Sequence, residues 1–285
     1  MLILNLRMRN FLILLVGLCF SLSFAQRHEI GIFAGGANVV GDIGRSNYIN
    51  PLPVSYNSKS LSDRIPYALG VLYRFNFNPY MGVRAGVTFS QVVGSDWVAP
   101  EQYKRLRNYA YKNSITEGSL LFEYNFFDIN DEYGSKHSPY IFGGIAAFMY
   151  NEAKYTVNNN FARDENGVLI EPNQIDTEII QNSVKKTAFT LPVGVGYKYK
   201  YRGNFVISAE VGVRYTQTDN LDFSFTNGED FTFNNEPGID ETTLQQLNSN
   251  IIKSRQIGNT SNYDWYVFTG LTLTYTFGRP PCYCD

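Results

Sequence analysis

The gaps between apolar stretches in this chain alternate strictly between long and short. Eight stretches with strand periodicity run from about Glu29 to Gly278, and the gaps between them are roughly 25, 4, 19, 11, 33, 3 and 44 residues. A chain that laces back and forth through a bilayer as antiparallel strands turns tightly on one side and loosely on the other. A soluble barrel has no reason to gather every long loop at one end. The pattern predicts an all-β fold, an eight-stranded antiparallel up-and-down transmembrane β-barrel with long extracellular loops. An even strand count puts both termini on the short-turn side, which in a bacterial outer membrane is the periplasm.

The chain's ends read differently from its middle. Residues 1–25 have the form of a signal peptide: Arg7 and Arg9 before an apolar run from Phe11 to Phe20, then Ser23-Phe24-Ala25 as a small-x-small cleavage site. The barrel is expected over 26–278 and a periplasmic tail over 279–285. Cys19 follows Leu18, where a lipoprotein would have a small residue. No apolar run after Ala25 is long enough for a membrane helix. Aromatic content is high, with 21 Tyr and 21 Phe, as the girdles of a membrane barrel require. The net charge of −2, which becomes −4 without Arg7 and Arg9, comes with no basic cluster, so nucleic acid is not an expected partner.

Strand side chains alternate between faces, so one parity meets lipid and the other the lumen. In the last strand Leu271, Leu273, Tyr275 and Phe277 oppose Gly270, Thr272, Thr274 and Thr276, with Tyr266 and Phe268 as apolar exceptions on the inner side. Met81, Val83, Ala85, Val87 and Phe89 oppose Gly82, Arg84, Gly86, Thr88 and Ser90 in the third. The second, fourth, sixth and seventh stretches follow the same rule. The first and fifth are rich in glycine, which leaves their parity open. Pro192 donates no ladder hydrogen bond, so a local irregularity is expected in the sixth strand.

The inner parity carries balanced charge. Glu29, Glu117, Glu123 and Glu210 stand against Arg74, Arg84, Lys198 and Arg214. Eight strands enclose a space that side chains alone can fill, and buried carboxylates stay ionised only when paired. The expectation is a plug of ion pairs; the sharper reading of the same residues is a gated pore or proton path. Among the loops, Leu221 to Phe233 alternates aromatics around Asn227-Gly228, a hairpin signal. Glu241 to Ile252 can form a short helix. Lys104, Arg105 and Arg107 lie among Tyr103, Tyr109 and Tyr111, either as solvated loop charge or as a patch for lipopolysaccharide phosphates.

An enzyme is not expected. His28 and His137 are the only histidines, and both fall at the short-turn end, away from the outer rim where barrel hydrolases work. No Ser–His–acid set is available there. No phosphate-binding glycine loop and no His/Cys metal spacing occurs, so neither a catalytic residue nor a cofactor nor a metal is expected. Cys282-Tyr283-Cys284 is the one chemically pointed feature. In an oxidising compartment it admits an intermolecular disulfide, a local strained ring, or plain thiols with or without metal.

Several segments carry a resemblance. Glu29-Ile30-Gly31-Ile32-Phe33-Ala34-Gly35-Gly36-Ala37-Asn38, then Gly41-Asp42-Ile43-Gly44, begin it. Tyr73-Arg74-Phe75-Asn76-Phe77-Asn78-Pro79, Leu121-Phe122-Glu123-Tyr124-Asn125-Phe126 and Pro139-Tyr140-Ile141-Phe142-Gly143-Gly144 continue it. These resemble the PorG-like family of small outer-membrane β-barrels of Bacteroidota, a component of the type IX secretion system. The resemblance implies a role in protein transport, and with it gliding motility, through association with a periplasmic ring built from a lipoprotein and its soluble partner. In that family a barrel cysteine can be disulfide-linked to the ring lipoprotein, which makes Cys282 or Cys284 the corresponding candidate. The competing expectation is an OmpA- or OmpX-like barrel that binds surfaces or stabilises the membrane through its outer loops.

Overall fold

The computed structural model describes residues 27–44, 65–131, 134–161, 164–165, 175–201, 204–235, 241–257 and 263–278. The expected signal peptide and the tail with Cys282 and Cys284 lie outside the described residues. Nine strands form: β1 (Arg27–Val40), β2 (Tyr67–Asn76), β3 (Met81–Ser95), β4 (Ala110–Asn125), β5 (His137–Phe161), β6 (Ile175–Tyr201), β7 (Phe205–Thr216), β8 (Phe231–Asn235) and β9 (Trp265–Phe277). Two helices, α1 (Gln102–Arg107) and α2 (Glu241–Arg255), lie in the long connections.

Eight strands close into a ring in chain order. Each of β1 to β6 pairs antiparallel with the next, β7 pairs with β9, and β9 closes on β1 from His28↔Phe277 to Val40↔Trp265. Closure leaves no free edge at bilayer depth, as a membrane requires of a sheet. The strand ends joined through 77–80, 126–136 and 202–204 lie at one end of the ring, and those joined through 41–66, 96–109, 162–174 and 217–264 at the other. The outward parity is exposed and apolar: Ile32 is 56% exposed, Val71 60%, Val193 62% and Leu271 58%. A belt of that size and character is lipid-facing surface. Among the described residues no helix is long and apolar enough to cross a membrane; the strands make the crossing.

Aromatic rims bound the belt. At the short-turn end these include Tyr73, Phe77, Phe126, Tyr197, Tyr199, Tyr275 and Phe277. Both histidines join this rim. His28 Nδ1 lies 2.6 Å from the Tyr73 hydroxyl, with its ring stacked on Phe277, and His137 Nδ1 lies 3.0 Å from the Tyr197 hydroxyl. The parity left open in the glycine-rich strands is now assigned. Glu29, Phe33 and Ala37 of β1 and Tyr140, Phe142, Ala146 and Phe148 of β5 point inward. The irregularity at Pro192 is present: the β5–β6 register runs to Gly143↔Val193 and resumes at Ala146↔Thr190. The short turn at Asn78-Pro79 is an Asx turn, its Asn78 Oδ1 accepting from the amides of Tyr80 and Met81.

The long-loop end departs from the sequence reading in three places. First, much of the expected 33-residue loop is strand, because β5 and β6 run on past the rim in register to Phe161↔Ile175. Second, Leu221 to Phe233 is not a hairpin. Asn227 instead caps a 3-10 turn at Gly228–Asp230, accepting from Glu229 N while Asp230 accepts from Asn227 N. That local box satisfies the backbone a hairpin turn would use. Phe223, at φ 62°, breaks the first arm, and Lys154 holds Asp230 at 2.5 Å. The second arm becomes β8, parallel to β5 from Tyr155↔Phe231 to Asn159↔Asn235. Third, the basic residues of α1 have local partners: buried Lys104 Nζ donates to Gly44 O, Arg105, still exposed, donates to Ala99 O and Pro100 O, and half-buried Arg107 pairs with Asp96 at 2.7 Å. The helix expected at Glu241 to Ile252 forms and runs to Arg255.

Candidate functional site

The lumen is the first place where function can reside. All eight charged residues on the inner parity point into it and form two ion-pair groups. Arg74 bridges Glu29 (2.5 Å) and Glu123 (2.8 Å), and Arg84 bridges Glu123 (3.2 Å) and Glu210 (2.6 Å). Lys198 Nζ reaches Glu123 Oε2 at 2.6 Å. Glu123 therefore sits under three cations and is fully buried. Nearer the long-loop end, Arg214 Nε lies 3.4 Å from Glu117 Oε2.

Neutral partners complete the network, and sequence reasoning missed them. Tyr140 donates to Glu210 and Tyr266 to Glu117, each at 2.6 Å; Asn76 and Thr274 donate to Glu29 at 2.7 and 2.8 Å. The inward placement of Tyr266 and Phe268, read as an exception to the alternation, was the available signal. Aromatic faces cover the cations: Phe142 lies 5.0 Å from the Arg84 guanidinium, Tyr140 4.5 Å from Lys198 Nζ and Phe268 4.2 Å from Arg214. Gly194 and Gly196 make room for this, since a side-chain carbon at either would collide with the Phe142 or Tyr140 ring. A cavity of about 20 Å³ remains between Arg84, Glu210, Arg214 and Phe268, space for about one water. The network can hold the barrel together, and its side chains occupy the lumen at this level.

Long-loop residues stopper the mouth above it. Ile43, Leu221 and the ring of Phe223 pack with Tyr111, Phe148, Tyr150 and Tyr266. An acidic clamp fastens them. Asp222 Oδ2 accepts from the amides of Asp42 (2.7 Å) and Ile43 (2.9 Å), and Asp264 Oδ2 from Leu221 N (2.9 Å). Both carboxyls converge on Gly41, where any Cβ would lie 2.6 Å from each. Burial and the neighbouring Asp222 charge push Asp264 up to about 9, and burial with Asp222 and Asp42 pushes Asp219 up to about 7. Asp222 is raised by burial despite its amide donors. Asp96 behaves oppositely. Burial alone would raise it, but Arg107 and the amides of Gly44 and Tyr109 hold it below the usual carboxylate range. No spacing in the sequence announces the clamp, although Gly41-Asp42-Ile43-Gly44 marks one of its strands of contact.

Beyond the rim stands a small sheet, β8–β5–β6, with α2 against one face. Its core is Ala153, Tyr155, Val157, Phe231 and Ile251, with Leu247 and Ile252 packed on it. The buried parity of β5 changes from even to odd at Glu152–Ala153 because α2 and Phe231 cover the other face. No group of His, Cys, Asp or Glu with metal-binding geometry occurs among the described residues.

In comparisons with solved structures, the chain is similar to Ail, the attachment invasion locus protein of Yersinia pestis. Identity is 11%, covering 89% of this chain and 100% of that one, with a TM-score of 0.39. It is similar to the N-terminal β-barrel domain of Pseudomonas aeruginosa OprF at 10% identity, 89% and 98% coverage and TM-score 0.37. A major outer membrane protein of Thermus thermophilus matches at 13% identity, 89% and 100% coverage and TM-score 0.38. The barrel assignment rests on the closed ring and its apolar belt, not on these likenesses. No curated protein matches the chain. A family profile described as a domain of unknown function, DUF6089, matches residues 8–285, and with nearly its whole length covered the chain belongs to the DUF6089 family.

Proposed function

We propose that this protein is a non-conducting, non-enzymatic barrel of the bacterial outer membrane that anchors or organises the periplasmic ring of the type IX secretion system. The observation that supports the first half is the filled lumen, where eight buried charges, their hydroxyl and amide partners and a loop stopper occupy the bore. A barrel with nothing to conduct acts through its ends. The resemblance of the first five strands to PorG-like barrels supports the second half. On this reading the short-turn end faces the periplasm. Its contact surfaces are the turn from Asp128 to Ser138 and the 279–285 tail, with Cys282 or Cys284 linking to the ring lipoprotein. That turn is pre-shaped, since Asp128 Oδ1 accepts from Ser135 N and Ser138 Oγ from Phe127 N.

The second reading is a surface-binding or membrane-stabilising barrel of the OmpA or OmpX type. What favours it is the folded sheet and helix at the long-loop end, more structure than a passive anchor needs. Affinity purification of the tagged protein from native outer membranes, with and without reductant, separates the two. A reductant-sensitive adduct with a periplasmic lipoprotein, together with ring subunits, is the expected result. A clean monomer without periplasmic partners would transfer the assignment to the loop end.

A further inference from the structure

Among the described residues the sheet above the rim ends on two strands, the five-residue β8 and the much longer β6. Among the described residues, β6 pairs with β5 along its full length, but its other edge meets β7 only from Thr190 to Tyr201. From Ile175 to Phe189 no strand among the described residues pairs with that edge. At bilayer depth the ring closes on itself, and β8 lies along β5 beyond its pairing with β4, so among the described residues this stretch of β6 is the longest unpaired edge. Residues 180–187 are exposed on both parities, with Ile180 and Val184 each more than 40% exposed. Unpaired strand edges of this length recruit other strands, and proteins blunt them with charge, proline or bulges. Here Ile179-Ile180-Gln181-Asn182-Ser183-Val184 is uncharged, free of proline and regular in its register with β5.

Charge on the edge is segregated. Asp176 and Glu178 lie toward the tip, Lys185 and Lys186 toward the barrel. This separates the possible occupants. Two copies inserted the same way carry β6 in the same direction, so their edges would meet in parallel. A two-fold relation then sets Glu178 against Glu178 and Lys185 against Lys185, and like charges directly opposite are destabilising. Antiparallel pairing of two copies would offset the charges but needs one copy upside down in the membrane. A different polypeptide is under neither constraint.

We infer that the free edge of β6 from Glu178 to Lys186 is a docking site for an extended segment of another polypeptide, added as an antiparallel strand, with carboxylates opposite Lys185 and Lys186, a basic side chain opposite Glu178 and β-branched residues between. Main-chain hydrogen bonds supply affinity and the flanking charges supply direction. The site lies at the opposite end from the proposed ring contact and stands or falls independently of it.

The test uses the full chain in nanodiscs and two fluorescent peptides. One reads Glu-Glu-Val-Thr-Ile-Thr-Val-Thr-Lys-Lys and the other is its reverse. The first should bind saturably. The reverse peptide, and the first peptide on a Lys185→Glu, Lys186→Glu double variant, should bind at least about tenfold more weakly. Hydrogen exchange should show alternate amides from Glu178 to Thr187 unprotected in the free protein and protected with peptide bound. Heat-modified gel mobility verifies that the variant barrel is folded. Equal binding of both peptides, no binding at millimolar concentration, uniform protection of the edge amides in the free protein, or an edge-dependent dimer of the chain would each overturn the inference.

Discussion

Glu123 shows what a buried charge needs. Its two oxygens meet Arg74, Arg84 and Lys198, and each cation answers to a second group. Removing one member leaves the others in a low dielectric without their counter-charge. Arg84→Ala leaves Glu210 without its cation and Glu123 with two of its three, and is expected to destabilise the barrel by about 3–5 kcal/mol, the usual cost of breaking a buried pair. Tyr140→Phe removes one neutral donor to Glu210 and should cost less, about 1–3 kcal/mol. Urea unfolding in lipid vesicles, followed by tryptophan fluorescence, measures both. Equal costs would mean that the network does not act through its ion pairs. The same reasoning accounts for the histidines. Each is spent on a rim tyrosine, 2.6 Å away for His28 and 3.0 Å for His137.

At the scale of elements, the loop clamp makes a pH prediction. Asp264 holds its proton more tightly folded than unfolded, its value lifted from 3.8 to about 9. Stability from this group is therefore complete below the ordinary carboxylate value and is lost as pH rises toward 9. Amide protection of Ile43 and Leu221, corrected for intrinsic exchange, should fall across that window while the barrel strands stay protected. Asp264→Asn keeps the side chain neutral and should flatten the profile; an unchanged slope in that variant would assign the dependence elsewhere. The β8 strand depends on a different contact. Lys154→Ala removes the partner of Asp230, and exchange at Phe231 to Asn235 should quicken with little change in global unfolding.

For the whole molecule, a ring closed on all sides with a packed interior predicts silence in planar bilayers. Current should stay at background across ordinary voltages, because the space between Arg84, Glu210, Arg214 and Phe268 is only about 20 Å³. Steady, large conductance would mean that the plug of ion pairs opens. Arg84→Ala joins the scales: it should lower stability without opening a channel, since Tyr140, Phe142 and Phe268 still fill the bore.

Glu29, in the glycine-rich first strand, had its face assigned by the structure; for the other seven lumen charges, alternation was enough to place them on one parity and the apolar belt on the other. That information is local: it repeats every two residues and survives any choice of register. Loop spacing likewise revealed the two ends, because antiparallel closure forces it. Which cation meets which carboxylate was decided only by closure, which sets Arg84 beside Glu210, 126 positions away in the chain. The clamp is more remote still, with Asp222 bonded to an amide 180 positions away. The aromatic run that read as a hairpin became a capped turn and a parallel strand, because Lys154 and the core against α2 outweighed its local turn propensity. Periodicity reports which face a residue occupies. It carries nothing about which distant element will lie opposite, and at the long-loop end that choice makes the structure.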